Sequence, residues 1–263
     1  ILIGEVPSSP LPILELANRL KWPVFADVLS NARLHPTEEQ ILNFDLILNT
    51  TSIPAPDFVL HFGARLTSKK ILETPVSLHV SPFPSLQDPS RSLGGRVQSD
   101  IACFCDQFEA NTDPEWLSLW QQEDRRVHET KEAFSAVFHP LTEMEAMRQL
   151  GTLLPSDRAV FLANGMPIRD GDRFLFPKEC QGFFGNRGLS GIDGNIATVC
   201  GIADGLNAPI LAIIGDQACL HDLNSLALLN KTKHPVTLIA SNNFGSGIFS
   251  HLPVANWPHF ETY

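Results

Sequence analysis

The sequence predicts an α/β protein made of two parallel-sheet domains. Three observations carry this. Short apolar runs alternate with amphipathic stretches of helical period, the pattern of βα units. A charged amphipathic stretch near the middle of the chain separates two such series. And 263 residues correspond to two domains at roughly 150 residues each.

In the first series, "ILIGEV" (1–6) reads as a buried strand, and "SSPLPILELANRL" as a helix opened by its Ser-Ser-Pro start. "WPVFADV" (22–28), "DFVLHFGA" (57–64) and "PVSLHVSP" (75–82) read as strands, with "TSKKILE" a short helix between the last two. "FDLILN" (44–49) fits helix and strand equally. "GRVQSDIACF" (95–104) is expected as one more strand. From Asp113, Trp116, Trp120, Val127, Phe134 and Phe138 recur at helical spacing with charges between them, which predicts one long amphipathic helix. His139-Pro140 ends it, because the residue before a proline is disfavoured in helix. The expected organisation is a first domain over 1–112, a linker helix over 113–139 and a second domain over 140–263.

The second series begins with a helix over 141–154, a strand with a polar turn in "AVFLANG" (159–165), a helix start in "MPIRDGDRFLF", and a strand and turn in "CQGFFGNRG" (180–188). A helix is expected over 190–206, then a strand in "APILAIIGD" (208–216), a helix over 221–232 and a strand in "PVTLIASNN" (235–243).

Composition narrows the function classes. The net charge of −10 argues against nucleic acid or an anionic membrane as the main partner. No apolar run reaches the roughly 20 residues of a membrane span. The five cysteines, Cys103, Cys105, Cys180, Cys200 and Cys219, form neither a disulfide framework nor a zinc pattern. Cys103 and Cys105 are expected as strand or strand-edge thiols, and a reducing cytoplasm fits. "ILIG" lacks a following G-x-G-x-x-G, which argues against NAD. The chain opens on Ile1 in an apolar run, so a piece of a longer polypeptide is expected.

The chemistry concentrates in 213–249. Strand, helix and strand there form a βαβ unit, so Gly215-Asp216 and Asn242-Asn243 are expected at the carboxyl end of one sheet, where ligands of open α/β sheets bind. Gly215 permits close backbone approach. Asp216 and an Asn offer oxygens suited to Mg²⁺, which keeps phosphate oxygens in its shell. Amides after Asp216 and in "FGSG" (244–247) are positioned to cradle that anion. Asp and Asn at strand ends also serve as turn formers and helix caps. For His221 and Asp222 the expectation is the latter: Asp222 caps the following helix and His221 belongs to the turn. His251 is unassigned.

Gly-Asp, about 27 residues, then Asn-Asn resembles the diphosphate-binding motif of thiamine-diphosphate (ThDP) enzymes. With "NGMPIRD" (164–170), "NRGLSGIDG" (186–194), "GDQACLHDLNSLALL" (215–229) and "NNFGSGIFSHLP" (242–253), the chain resembles the 2-succinyl-5-enolpyruvyl-6-hydroxy-3-cyclohexene-1-carboxylate synthases of menaquinone biosynthesis. "WPVFADVLS" (22–30) resembles that family's central domain. The two domains would then be a central ThDP-enzyme domain and a C-terminally truncated diphosphate-binding domain.

The resemblance implies ThDP and Mg²⁺ (or Mn²⁺) as cofactors, and 2-oxoglutarate and isochorismate as substrates. It implies Asp216, Asn243 and the Gly245 carbonyl as metal ligands. Gly215, Gln217, Ala218, Ser246 and Gly247 would lie along the diphosphate, Ile192 under the thiazolium ring, and Gly165 and Met166 beside the aminopyrimidine. Arg169 and Arg187 would bind substrate carboxylates, for which a guanidinium offers a planar fork. Ile248 and Phe249 would wall off the reacting carbon. The catalytic Glu of the family lies in an N-terminal domain that this sequence does not contain, so no catalytic residue is assigned and the 263-residue chain alone is expected to be inactive. A homodimer or homotetramer is implied for the full-length protein. Ala218 and Gly165 stand where relatives often have Ser, and Phe244 and Ser246 where Asn and Gly are common. Two other readings remain open on the residues: another ThDP-dependent enzyme, such as a 2-oxo acid decarboxylase or an acetolactate synthase, and a non-catalytic cofactor-binding module.

Overall fold

The structure, a computed structural model, describes residues 1–51, 53–85, 88, 91–137 (backbone only at 136 and 137), 141–176, 179–245 and 247–260. Phe138, the expected boundary pair His139-Pro140, and Ser246 lie outside the described residues. The chain divides into two compact units, Ile1–Glu145 and Ala146–Tyr263.

The first unit is built on a five-stranded, all-parallel sheet. Its strands are β1 (Leu2–Ile3), β2 (Phe25–Ala26), β3 (Leu60–Phe62), β4 (Leu78–Ser81) and β5 (Gly95–Gln98), in the order β2-β1-β3-β4-β5. Successive residues of a strand face opposite sides, and the two cores follow from that alternation. Ile3, Leu60, Phe62 and Val80 pack with helix α1 (Leu11–Leu20) on one face. Leu2 points to the other face, where Phe44 and Ile47 of α2 (Phe44–Thr50) and Ile71 of α3 (Lys69–Leu72) cover it. The ambiguous segment 44–49 is therefore helical: Phe44 and Ile47 are three residues apart and bury on one side.

The segment expected as a single strand over 95–104 divides. β5 ends at Gln98, and α4 (Ile101–Gln107) begins after Asp100, whose carboxylate accepts the Cys103 amide at 2.9 Å. The Ser-Asp pair is a helix start signal that strand-like residues on either side disguise. Cys103 and Cys105 consequently lie on a helix rather than a strand, the first exposed and the second buried.

The long amphipathic helix is α5 (Pro114–Val137). Leu117, Trp120 and Val127 bury against the α2 side of the first sheet, with the Trp120 ring edge-on to Phe25 at 4.6 Å between centroids. Polar struts add to this seam. The Asp124 carboxylate accepts the Asn43 amide at 2.7 Å, and Lys131 donates to the Asn43 side chain at 2.8 Å. The helix expected as a linker thus packs within the first unit.

Helix α6 (Glu143–Leu153) spans the division between the units. The second unit holds a four-stranded parallel sheet of β6 (Ala159–Leu162), β7 (Phe183–Phe184), β8 (Ile210–Gly215) and β9 (Val236–Ser241), in the order β7-β6-β8-β9. One face is covered by α8 (Asn195–Leu206) through Ile196, Val199, Cys200 and Ala203. α7 (Met166–Phe174) follows β6, with Ile168 wholly buried. The helix expected over 221–232 is reduced to a 3-10 turn (Leu223–Ser225) and α10 (Leu226–Leu229), and a further short helix, α9 (Asp216–His221), precedes them. The expected helix over 190–206 starts five residues later, after Gly194 in the left-handed region.

Candidate functional site

All four strands of the second sheet run parallel, so their carboxyl ends share one edge. β8 and β9 are in register from Ile210–Val236 to Gly215–Ser241. Asp216 and Asn242-Asn243 therefore leave adjacent strands at the same level. The structure joins them directly. One Asp216 oxygen accepts the Gly245 amide at 2.8 Å and the other accepts the Gln217 amide at 2.8 Å. Asn242 accepts the Phe244 amide at 3.0 Å, and Asn243 accepts the Gly247 amide at 3.0 Å. The turn needs its glycine, for Gly245 sits at φ +110°, where a side chain is strained.

The expected anion cradle differs in detail. The Gly245 and Gly247 amides are engaged by Asp216 and Asn243 oxygens, which neutralises part of the charge that gathers there. The oxygens here that could serve a cation are those of the Asp216 carboxylate and the Asn243 amide. These hard oxygen donors fit a magnesium-type ion, and Asp216 is held in place by two amides. Among the described residues no group of three or more His, Cys, Asp or Glu side chains is arranged to hold a metal.

A second cluster forms where β6 and β7 end. Asn164 is buried, 4% exposed, and its side-chain amide donates to the carbonyls of Asn186 at 2.7 Å and Gly191 at 2.8 Å. Its oxygen accepts Nη1 of Arg187 at 3.1 Å. The next residue, Gly165, at φ +103°, accepts Nη1 of Arg169 on its carbonyl. The two predicted arginines are thus brought to consecutive residues of one turn. Burial, and then the positive Arg173, pull the Arg169 guanidinium down from its ordinary value. Met166 is half-buried at the head of α7.

Ile192 is 41% exposed at the tip of the 186–194 loop. Asn195, wholly buried, donates to the Ile192 carbonyl at 2.7 Å and holds that tip against α8. Gln217 is exposed, whereas Ala218 turns into the core with Ile214 and Val199. Ile248 is half-buried and Phe249 exposed on a 3-10 turn over Gly247–His251.

Asp222 corrects an expectation. It does not cap the helix that follows it. Its carboxylate accepts the Ile196 amide at 2.6 Å, capping α8 from outside, and accepts the Ser225 hydroxyl at 2.7 Å. Sequence reasoning passed over Asn164 and Asn195 as well. Asn164 opens one of the motifs that carry the resemblance and Asn195 directly follows another, so the signal available was an amide at a motif's edge.

Comparison with known proteins agrees with this architecture. A family model described as the middle domain of thiamine pyrophosphate matches residues 1–162. Among curated relatives, a 2-succinyl-5-enolpyruvyl-6-hydroxy-3-cyclohexene-1-carboxylate synthase of Chlorobium phaeobacteroides (strain BS1) is 34% identical over 97% of this chain and 46% of its own length. The proteins of the same name from Rubrobacter xylanophilus and Salinibacter ruber are 36% and 34% identical, each over 94% of this chain and over 46% and 44% of their own lengths. The chain spans about half the length of the curated relatives it matches. With a five-stranded parallel α/β unit inside the matched range, the chain belongs to the thiamine-pyrophosphate middle-domain family.

Proposed function

We propose that this chain is the central and diphosphate-binding part of a ThDP- and Mg²⁺-dependent synthase that decarboxylates 2-oxoglutarate and joins the remaining four-carbon unit to isochorismate. The observation that carries the reading is the Asp216–Gly245 contact, which joins the tips of β8 and β9 where the metal–diphosphate pair would sit.

Asp216, Asn243 and the Gly245 carbonyl would hold the ion. Gly215, Gln217, Ala218, Ser246 and Gly247 would follow the diphosphate, with Ala218 contributing through its backbone because its methyl is in the core. Gly165 and Met166 would flank the aminopyrimidine, and Ile192 would support the thiazolium. Bound ThDP supplies an electron sink for the carbon that loses CO₂. Arg169 and Arg187 supply positive charge for substrate carboxylates, and consecutive anchors at Asn164 and Gly165 fix where that charge lies. Ile248 and Phe249 exclude water from the reacting carbon, which strengthens those charge interactions. The full-length protein would act as a homodimer or homotetramer in the cytoplasm. Among the described residues no helix is long and apolar enough to cross a membrane.

The test is a substrate panel on the full-length protein with ThDP and Mg²⁺. Turnover of 2-oxoglutarate with isochorismate, and none with pyruvate alone, is expected. The 263-residue chain by itself should show no carboligation. Equal turnover of pyruvate, or activity of the isolated chain, would refute this reading.

A further inference from the structure

The geometry points to Asn164 as the positioning residue that aims Arg187 at the substrate, an inference that rests on the proposed role of Arg187. Asn164 sits directly after β6 and Ala163, so its backbone is fixed by the sheet. Its side chain uses both amide hydrogens and its oxygen on three different residues. The orientation is unambiguous: a flipped amide would set its oxygen against the Asn186 and Gly191 carbonyls and its hydrogens against a guanidinium.

The two donor bonds close the 186–191 loop into a ring on the end of β6. The loop is braced on its far side, where Asn186 donates to the Thr198 hydroxyl at 3.1 Å and Thr198 donates to the Gly194 carbonyl at 2.8 Å. Arg187 leaves this ring with Nη1 on the Asn164 oxygen. A guanidinium on a long side chain loses several rotatable torsions when held, and one anchoring bond from a buried, rigid acceptor removes much of that cost before substrate arrives. Since Gly165 holds Arg169 in the same turn, Asn164 also sets the spacing between the two positive groups. Asn164 touches neither reacting atoms nor cofactor in this scheme; it acts through Arg187.

The experiment is steady-state kinetics of the full-length enzyme with Asn164→Ala, Asn164→Ser and Arg187→Ala, and with the Asn164→Ala/Arg187→Ala double variant. KM for the substrate that Arg187 serves should rise about 10- to 150-fold in Asn164→Ala, the range of a lost hydrogen bond to a charged group, with a much smaller change in kcat. The double variant should be no worse than Arg187→Ala, since the two act as one unit. Asn164→Ser, whose hydroxyl stops one bond short of the oxygen that Arg187 meets, carries the same test should the alanine variant fail to fold. A folded Asn164 variant with the parent's KM, or a double variant whose defects multiply, overturns the role of Asn164 alone. A parent enzyme inert to both substrates overturns the functional reading and this inference with it.

Discussion

Lowering the pH from 8 to 5 should weaken the first unit by about 2 kcal/mol through His61 alone. His61 lies in β3, 5% exposed, with Nε2 bonded to the Ala64 carbonyl at 2.9 Å and its ring 4.9 Å from that of His79 on the adjacent strand. Burial, offset in part by that bond, lowers its pKa from 6.5 to about 4. His79 is pushed in the same direction, first by burial. The folded state therefore prefers the neutral ring, while the unfolded chain takes up a proton below its ordinary value. Stability from this source is complete above that ordinary value and is lost as pH falls toward the folded one. At pH 5 the unfolded ring is about 1.5 pH units below its midpoint, which at 1.36 kcal/mol per unit gives about 2 kcal/mol, with a ceiling near 3 kcal/mol at lower pH.

Denaturant unfolding of the 263-residue chain at both pH values would read this, using Trp257→Phe so that Trp22, Trp116 and Trp120 report on the first unit alone. His61→Gln keeps a donor for the Ala64 carbonyl but does not titrate. The Ile1 amine, lowered by burial to about 5, titrates over part of the range in both chains and cancels in the difference. An acid-induced loss as large in His61→Gln as in the parent would refute the argument.

Three further outcomes are expected. Asp216→Asn in the full-length protein removes the anionic ligand and keeps only one of the two oxygens that meet the Gly245 and Gln217 amides, its NH2 facing the other, so calorimetry should show Mg²⁺-dependent ThDP binding weakened by at least about 10-fold. Asp222→Ala uncaps α8 and should cost about 1–2 kcal/mol in denaturant unfolding of the second unit; no loss would mean that the Ile196 contact is idle. Phe161→Ala empties a wholly buried site in β6 and should cost about 3–5 kcal/mol by the same measurement.

The second sheet and its carboxyl edge were legible because β8 is an apolar run and β9 a mostly apolar one, each leading into a polar turn, Gly215-Asp216 and Asn242-Asn243, and parallel connection leaves little freedom in where those turns meet. Asp216 and the Asn243 turn follow from that. Residues 95–104 were harder, since Ile101, Cys103 and Cys105 suit a strand and only the Asp100 cap marks a helix. Asp222 was harder still. Its partner, Ile196, is 26 residues away, and a side chain that caps a distant helix leaves no periodic trace. The same holds for Asn164, whose three bonds reach 22 to 27 residues along the chain.

The place of β9 at the end of the four-stranded order has a practical consequence. Its only described neighbour is β8, and Thr237 and Ala240 are exposed. A rim strand offers its outer peptide groups as a template for another chain, and Val236, Leu238 and Ile239 supply the sticky side chains that make such pairing persist. Handling of the isolated 263-residue polypeptide at high concentration should thus favour self-association, and sedimentation across a dilution series would reveal it before any ligand titration is interpreted.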